Sequence, residues 1–480
     1  MNTERLARNP ISILFLVLVV ALLVVLITAT TSPAASMGAA IAVVLFLGLW
    51  AKDPPIFVLI AGSIYAATQA MAMEESALVV GSVPLNGAQM FVVLITGALV
   101  ARMGLDMALT GRHPVLPHCL LPFALLVISA GFRSVGGEDQ VQAFAATARM
   151  LACLIVLAFA SFTATSMRTV YVYLMTGAIV AVVASFSAFA EALLGRGTED
   201  VIRAGAVRAG GSFGGAVPTG NVAFLGIPAF VGRWMAAKSK WSRGIAGACL
   251  FLVGLGLFST FTRRTLVGAA IFILTYFWPV AKDRGATRVG TGNKIAIILL
   301  TVVAISAGIL SVDQKSLDQR LSDIPGLSNV SATDEGIGSG RGLIWRAMIQ
   351  GLRQNSIAAW LVGNGTLSSI ENNRRFAYLE LTAHNSYLEL LFNQGIVGLG
   401  LYLWFALALF RALRSVVRQG GAIGMLADVW SRYWVAYLLS VEMFGSSIYR
   451  IESRWYMMAI MGAIIGYGSR LARESNNSKR

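Results

Sequence analysis

Apolar and polar stretches alternate along the chain with a long period. Apolar runs close to the ~20 residues that carry a helix across a bilayer recur from one end to the other. They fall at about 11–30, 36–51, 55–72, 87–103, 116–132, 147–165, 168–194, 222–237, 245–260, 265–281, 294–311, 386–410, 429–447 and 454–471. The pattern predicts an all-α fold, a polytopic membrane protein of about 12–14 transmembrane helices forming a single domain over residues 1–480. Two polar segments interrupt it, a smaller one at 195–221 and a larger one at 312–385 that is predicted to carry a helix of its own.

Composition supports this class. Hydrophobic residues make up 56% of the 480 and charged residues 13%, against roughly a quarter charged in soluble domains. The first run follows only Arg5 and Arg8 and lacks a small-residue cleavage site, so it is expected to be an anchor and not a removed signal peptide. The net charge of +15 is accounted for by topology. With a cytoplasmic N-terminus, the basic residues gather in every second connection, at Lys52, Arg102, Arg112, Arg168, Lys238, Lys240, Arg243, Lys282, Arg284, Arg288, Lys294, Arg411, Arg414 and Arg418, as the positive-inside rule requires.

Both termini are then cytoplasmic, and segments 195–221 and 312–385 share the opposite side. Scattered over many loops, these charges form no stripe for nucleic acid. Cys119, Cys153 and Cys249 lie in predicted spans with neither metal-ligand spacing nor a plausible disulfide partner.

Candidate chemistry concentrates in the polar segments and at span ends. After Asp313, Asp318, Asp323 and Pro325, the run GIGSGRG (336–342) leads into LIWRAMIQGLRQN, a predicted helix with Ile344, Ala347, Met348 and Leu352 on one face. Arg346 and Arg353 share another face, and Arg341 stands just before the helix. Helix N-terminal N–H groups beside an arginine favour an anion such as phosphate; the glycines also suit a plain flexible entry.

Arg263 and Arg264 sit between two closely spaced apolar runs, where charge at hydrocarbon depth costs several kcal/mol unless paired or hydrated. They either snorkel to the interface or meet an anionic ligand. Glu442, Arg450, Glu452 and Arg454 crowd a short turn, where ion pairs would brace the helix ends and lining a polar site is the second reading. His384 ends the long polar segment at the point of membrane re-entry. Its imidazole can exchange a proton near neutral pH or serve as a local cap. Glu380, four residues earlier, is placed to orient the ring, and Asn385 suits a sugar hydroxyl or a helix cap.

The succession SGRGLIWRAMIQG, VGNG and HNSYLELLFNQGIVGLGLYL resembles the O-antigen ligase and polymerase superfamily, with an Arg and Trp opening a loop helix, a glycine turn, and His-Asn before an apolar helix broken by Asn/Glu-x-Gly. RAGGSFGGAVPTGNVAFLG is similar to the family's Arg-x-x-Gly segment, although Thr219 and Gly220 separate Pro218 from Asn221. FTRRTLVG resembles its Ser-Arg-Gly element, with Thr262 for serine and Arg264 for glycine. The resemblance spans roughly 205–410.

It implies a glycosyltransferase of the bacterial inner membrane acting outside the cytoplasm without metal or other cofactor. The implied donor is a glycan on undecaprenyl pyrophosphate, and the acceptor is a hydroxyl on lipid A core or a growing O-antigen or exopolysaccharide chain. A chain-length regulator is an expected partner beside the membrane lipids.

By position, the resemblance makes His384 the essential histidine, Arg341 the loop arginine, Arg263 the membrane-edge arginine and Arg208 a looser basic match, with Arg264 an extra basic residue. Those arginines would bind the donor pyrophosphate, with Asn385, Glu380 and Arg346 in support. The span count and HNSYLELLFNQG favour a polymerase slightly over a ligase. The alternative class is a flippase or exporter of lipid-linked sugars, which would usually place charges inside spans or show related halves.

Overall fold

A computed structural model describes residues 78–80, 83–85, 87–110, 117–135, 140–194, 209–213, 215–237, 239–260, 262–277, 341–377, 381–445 and 447–477, with Val58 and Gly62. The predicted spans at 11–30, 36–51 and 294–311, nearly all of 55–72, and the first part of the large polar segment lie outside the described residues, as do Arg208 and Glu380.

The described chain is helical apart from a small antiparallel pair, β1 (Leu78–Val80) and β2 (Val83–Leu85), with Leu78 opposite Leu85. The helices are α1 (Gly87–Thr110), α2 (Leu120–Arg133), α3 (Gln140–Thr163), α4 (Met167–Leu193), α5 (Ala216–Ala236), α6 (Lys240–Ser259), α7 (Arg263–Phe277), α8 (Arg341–Gln354), α9 (Ile357–Val362), α10 (Ser368–Ala377), α11 (Ser386–Val417), α12 (Gly421–Tyr437) and α13 (Glu452–Asn477). A π turn, Leu438–Glu442, continues α12. The protein is thus an all-α polytopic membrane protein. Among the described residues, α3, α4, α6 and α11 are each long and apolar enough to cross a bilayer.

Lipid tails are as apolar as leucine, so helices in a bilayer associate through close packing and not through water exclusion. The tightest seam joins α13 to α3. Gly462 and Gly466, one GxxxG step apart, lie against the carbonyl oxygens of Leu157 and Ser161, where any Cβ would collide with backbone. Gly462→Leu is therefore expected to destabilise the protein by at least ~1–3 kcal/mol, read as a lowered midpoint of thermal unfolding in detergent.

Elsewhere α5 packs between α4 and α6, and α11 between α2 and α12. Phe123 of α2 stacks on Phe405 of α11 at 4.4 Å between ring centroids, and Trp434 of α12 stacks on Tyr437.

Two helices outrun their predicted spans because their polar residues are satisfied laterally. Helix α11 continues past residue 410 to Val417, and α12 begins at Gly421 instead of 429. Asp428 of α12 accepts from Arg414 of α11 at 2.7 Å and from Arg432 one turn on at 2.9 Å, so charges that depress hydropathy tie the two helices together.

Beyond the predicted helix, the described residues of the large polar segment carry two more, α9 and α10. Helix α8 buries Ile344, Ala347, Met348 and Leu352, the four residues predicted to share a face, while Arg346 and Arg353 on the other side are exposed. Ile344, Met348 and Leu352 form a small second core with Ala383 and Phe392, which docks the segment on the first turns of α11. Arg341 is the first residue of α8 and not the residue before it.

Helix α11 is kinked. Gly395 has φ 68°, which is non-helical and within the left-handed range that favours glycine. The kink frees two carbonyls for the 363–366 turn. Asn364 N–H donates to Phe392 O and Gly365 N–H to Asn393 O, both at 3.0 Å. Asn393 in turn accepts from Ser369 N–H at 2.9 Å and from Ser368 Oγ at 3.2 Å. The Asn-Gln-Gly element is the socket on which the polar segment is mounted.

Candidate functional site

His384 stands in the lead-in to α11 and its backbone is fixed on both sides. Asn385 is the N-cap, accepting through Oδ1 from Tyr387 N–H and Leu388 N–H, both at 3.0 Å. Those bonds satisfy two donors that a helix start leaves orphaned, so capping is the role the geometry gives this side chain. His384 itself has φ 50°. A non-glycine residue held there costs about 1–3 kcal/mol and needs neighbours that impose it.

The neighbours are identifiable. Trp345 Nε1 of α8 donates to Ala383 O at 3.0 Å, and Asn373 Nδ2 of α10 donates to Leu381 O at 2.7 Å. Beyond the histidine, Ser386 Oγ donates to Gly445 O at 2.9 Å and accepts from Ser447 N–H at 3.1 Å. His384, half-buried, thus stands in a segment bonded on one flank to the loop helices and on the other to the 443–451 loop.

The same loop receives the arginine pair. Helix α7 opens with Arg263 and Arg264, and its start is fastened by Thr262 Oγ1, which donates to Ala216 O of α5 at 3.0 Å. Arg264 is buried, and its guanidinium lies so close to Gly445 that a Cβ there would overlap Nη1. Arg263 is half-buried. Gly445 therefore meets both Arg264 and Ser386, two residues from His384.

The backbone of Arg341 opens the helix that bonds this lead-in. It lies one turn of α8, about 6 Å, from Trp345, whose indole is bonded to the residue before His384. Arg346 projects to the exposed side of the helix.

Beneath the loop is a buried polar floor. Arg454 and Glu442 form an ion pair with side-chain exposures of 1% and 0%. Arg454 also donates to Ile448 O at 3.1 Å and to Tyr402 Oη at 3.2 Å. Arg149 Nη1 of α3 donates to Tyr449 O at 3.4 Å. Burial first, and then the nearby carboxylate of Glu389, push the Tyr449 phenol above its ordinary value. The Glu442–Arg454 pair is the brace the charge pattern predicted; Arg450 is exposed.

Of the residues expected from sequence, the structure brings His384, Asn385, Arg263, Arg264 and the backbone of Arg341 to one face of the bundle. Arg346 belongs to the same helix as Arg341 but faces away from the second core. Ser386 and Gly445 were not anticipated. A serine after His-Asn and a glycine in a 59-residue-distant loop carry no pattern by themselves, and only the closed contact reveals them. Among the described residues, no group of three or more His, Cys, Asp or Glu side chains is gathered as a metal ion would require.

Residues 248–403 match the family model for O-antigen ligase. No curated protein matches the chain. The matched segment runs from within α6 to within α11. It holds Arg263, Arg264, Arg341, Arg346, His384 and the Gly395 kink, but excludes Arg208, Gly445 and the Glu442–Arg454 floor.

Proposed function

We propose, from the O-antigen ligase family segment at residues 248–403, that this multi-pass membrane protein is a glycosyltransferase of the O-antigen ligase and polymerase type. The donor is a glycan on undecaprenyl pyrophosphate at the outer face of a bacterial inner membrane. In the reaction, an acceptor hydroxyl oxygen attacks the anomeric carbon, the bond from that carbon to the pyrophosphate oxygen breaks, and the hydroxyl proton passes to His384. One such displacement inverts the anomeric centre. Undecaprenyl pyrophosphate departs with the negative charge, which guanidinium groups hold bidentately.

The observation that supports this reading best is the convergence on Gly445, which is packed against Arg264 and bonded by Ser386 of the histidine lead-in. It ties the segment that carries a proton acceptor and the helix start that carries two cations to the same loop residue. Within the pair we assign the phosphate contact to half-exposed Arg263 and a positioning role to buried Arg264. Asn385 supports the site by holding the cap that aims His384.

The test is glycan transfer by the purified protein in detergent from a lipid-linked donor. Arg263→Lys keeps the charge but loses the planar fork, and a loss of turnover of about 10²-fold is expected. Near-wild-type turnover would reassign Arg263 to folding or topology. Transfer is also expected to survive excess chelator; abolition by chelator with recovery on adding a divalent ion would overturn the metal-independent step. In cells lacking the protein, accumulated single repeat units would identify a polymerase, the reading we favour, and long lipid-linked chains missing from core would identify a ligase.

A further inference from the structure

At the far end of the 32-residue α11, away from His384, the bundle has a second, unrelated feature. A cavity of about 600 Å³ opens between the start of α4, the turn joining α11 to α12, and the last turns of α13, with Gln419, Gly421, Tyr467, Ser475 and Asn476 among its lining residues. The turn is made by two successive left-handed glycines, Gly420 (φ 71°) and Gly421 (φ 62°), and a Cβ at Gly421 would meet only open space. Its architecture is fixed, since Gln419 Nε2 donates to Gly468 O at 2.8 Å and Arg470 is bonded to Phe162 O.

Met167 lines this cavity and also a second hollow of about 440 Å³, formed with Arg168, Tyr171, Val172 and Met175 along α4. The path continues beyond it. Met175, Ile179, Val183 and Phe186, spaced four, four and three residues apart, form one exposed apolar stripe of α4.

A chamber lined by both polar and apolar side chains thus shares Met167 with an apolar hollow beside the exposed stripe of α4, and exposed Arg168 stands at the junction. Exposed Arg418 and Arg473 flank the same end. The nearby acids are Glu474, exposed and outside the lining, and Asp428, already held by Arg414 and Arg432.

We propose that this is a binding site for one anionic glycerophospholipid. Its phosphate sits beside Arg168, its polar head enters the chamber, and an acyl chain follows α4. The succession of polar groups, a cation and an apolar stripe matches head, phosphate and acyl chain along the ligand's length. Occupancy would fasten the α4, α11–α12 and α13 ends of the bundle together, a role separate from the transfer site.

Native mass spectrometry of the full chain, delipidated in detergent, tests this with phosphatidylglycerol, phosphatidylcholine and inorganic phosphate as probes. One retained phosphatidylglycerol is expected, bound at least about fivefold more tightly than phosphatidylcholine. Arg168→Gln is expected to remove that preference, and Ala422→Trp, which projects bulk from the cavity lining, is expected to lower binding of both lipids. Millimolar phosphate should not compete.

Equal retention of the two lipids by the unaltered chain would overturn the proposal even if a variant failed to fold. So would phosphatidylglycerol binding unchanged in both variants, or displacement by free phosphate.

Discussion

Replacing His384 with alanine is expected to lower glycan transfer by about 10²–10⁴-fold, the usual contribution of a positioned general base, with donor affinity little changed. The expectation rests on how the residue is held. Four side chains, Trp345, Asn373, Asn385 and Ser386, secure the segment from Leu381 to the first turn of α11 around it. His384 occupies φ 50°, a conformation that persists only where its neighbours impose it.

Because alanine at that φ is itself strained, His384→Asn is the better control. Asparagine tolerates the left-handed region but cannot serve as a base. Both variants should show matched losses of turnover and no acidic limb in the dependence of rate on pH, since that limb reports protonation of the base. Transfer undiminished in His384→Asn would sink the catalytic assignment. Lost transfer with unaltered donor binding would separate chemistry from recognition.

Much of this arrangement is legible in sequence, and the reason is physical. A bilayer demands that backbone bonds close internally, which within one apolar run only a helix achieves, so the apolar runs at 168–194 and 245–260 mark α4 and α6 to within about five residues. The amphipathic pattern of α8 is equally direct, because the same four residues that alternate at helical spacing are the ones buried.

The extensions of α11 and α12 are not legible that way. Arg411, Arg414 and Asp428 read as loop on a hydropathy scale, and the Arg414–Asp428 bond that makes them helical joins residues on different helices. Helix α9 is apolar but only six residues long, α10 is poor in apolar residues, and both adjoin the 363–366 turn and the carbonyls freed at Gly395.

The candidate site divides along the same line. His384, Arg263 and Arg341 stand out because polar residues at membrane edges are costly and few. Ser386 and Gly445 act only through a long-range contact, which one-dimensional spacing does not encode. The division of labour within the Arg263–Arg264 pair likewise follows from which of the two packs against Gly445.

Glu442→Ala is expected to be the most destabilising single change at the site, costing about 3–5 kcal/mol by leaving the Arg454 charge buried without its carboxylate. Removal of both charges should cost far less. Desolvating two ions consumes most of what their attraction returns, and a well-packed apolar pair is often as stable. The Glu442→Leu, Arg454→Met double variant should therefore regain most of the thermal midpoint lost by either single variant, measured in the same detergent.

Its activity should not return to the same degree. Arg454 also donates to Ile448 O, and the loop it holds supplies Gly445 and Ser447 to Ser386, the last fixed point after His384. A stable double variant with a lowered turnover and an unchanged KM would place the ion pair in positioning the base. Full recovery of both stability and turnover would confine the pair to folding, with the loop held by its other contacts, those of Arg149, Arg264 and Ser386 among them.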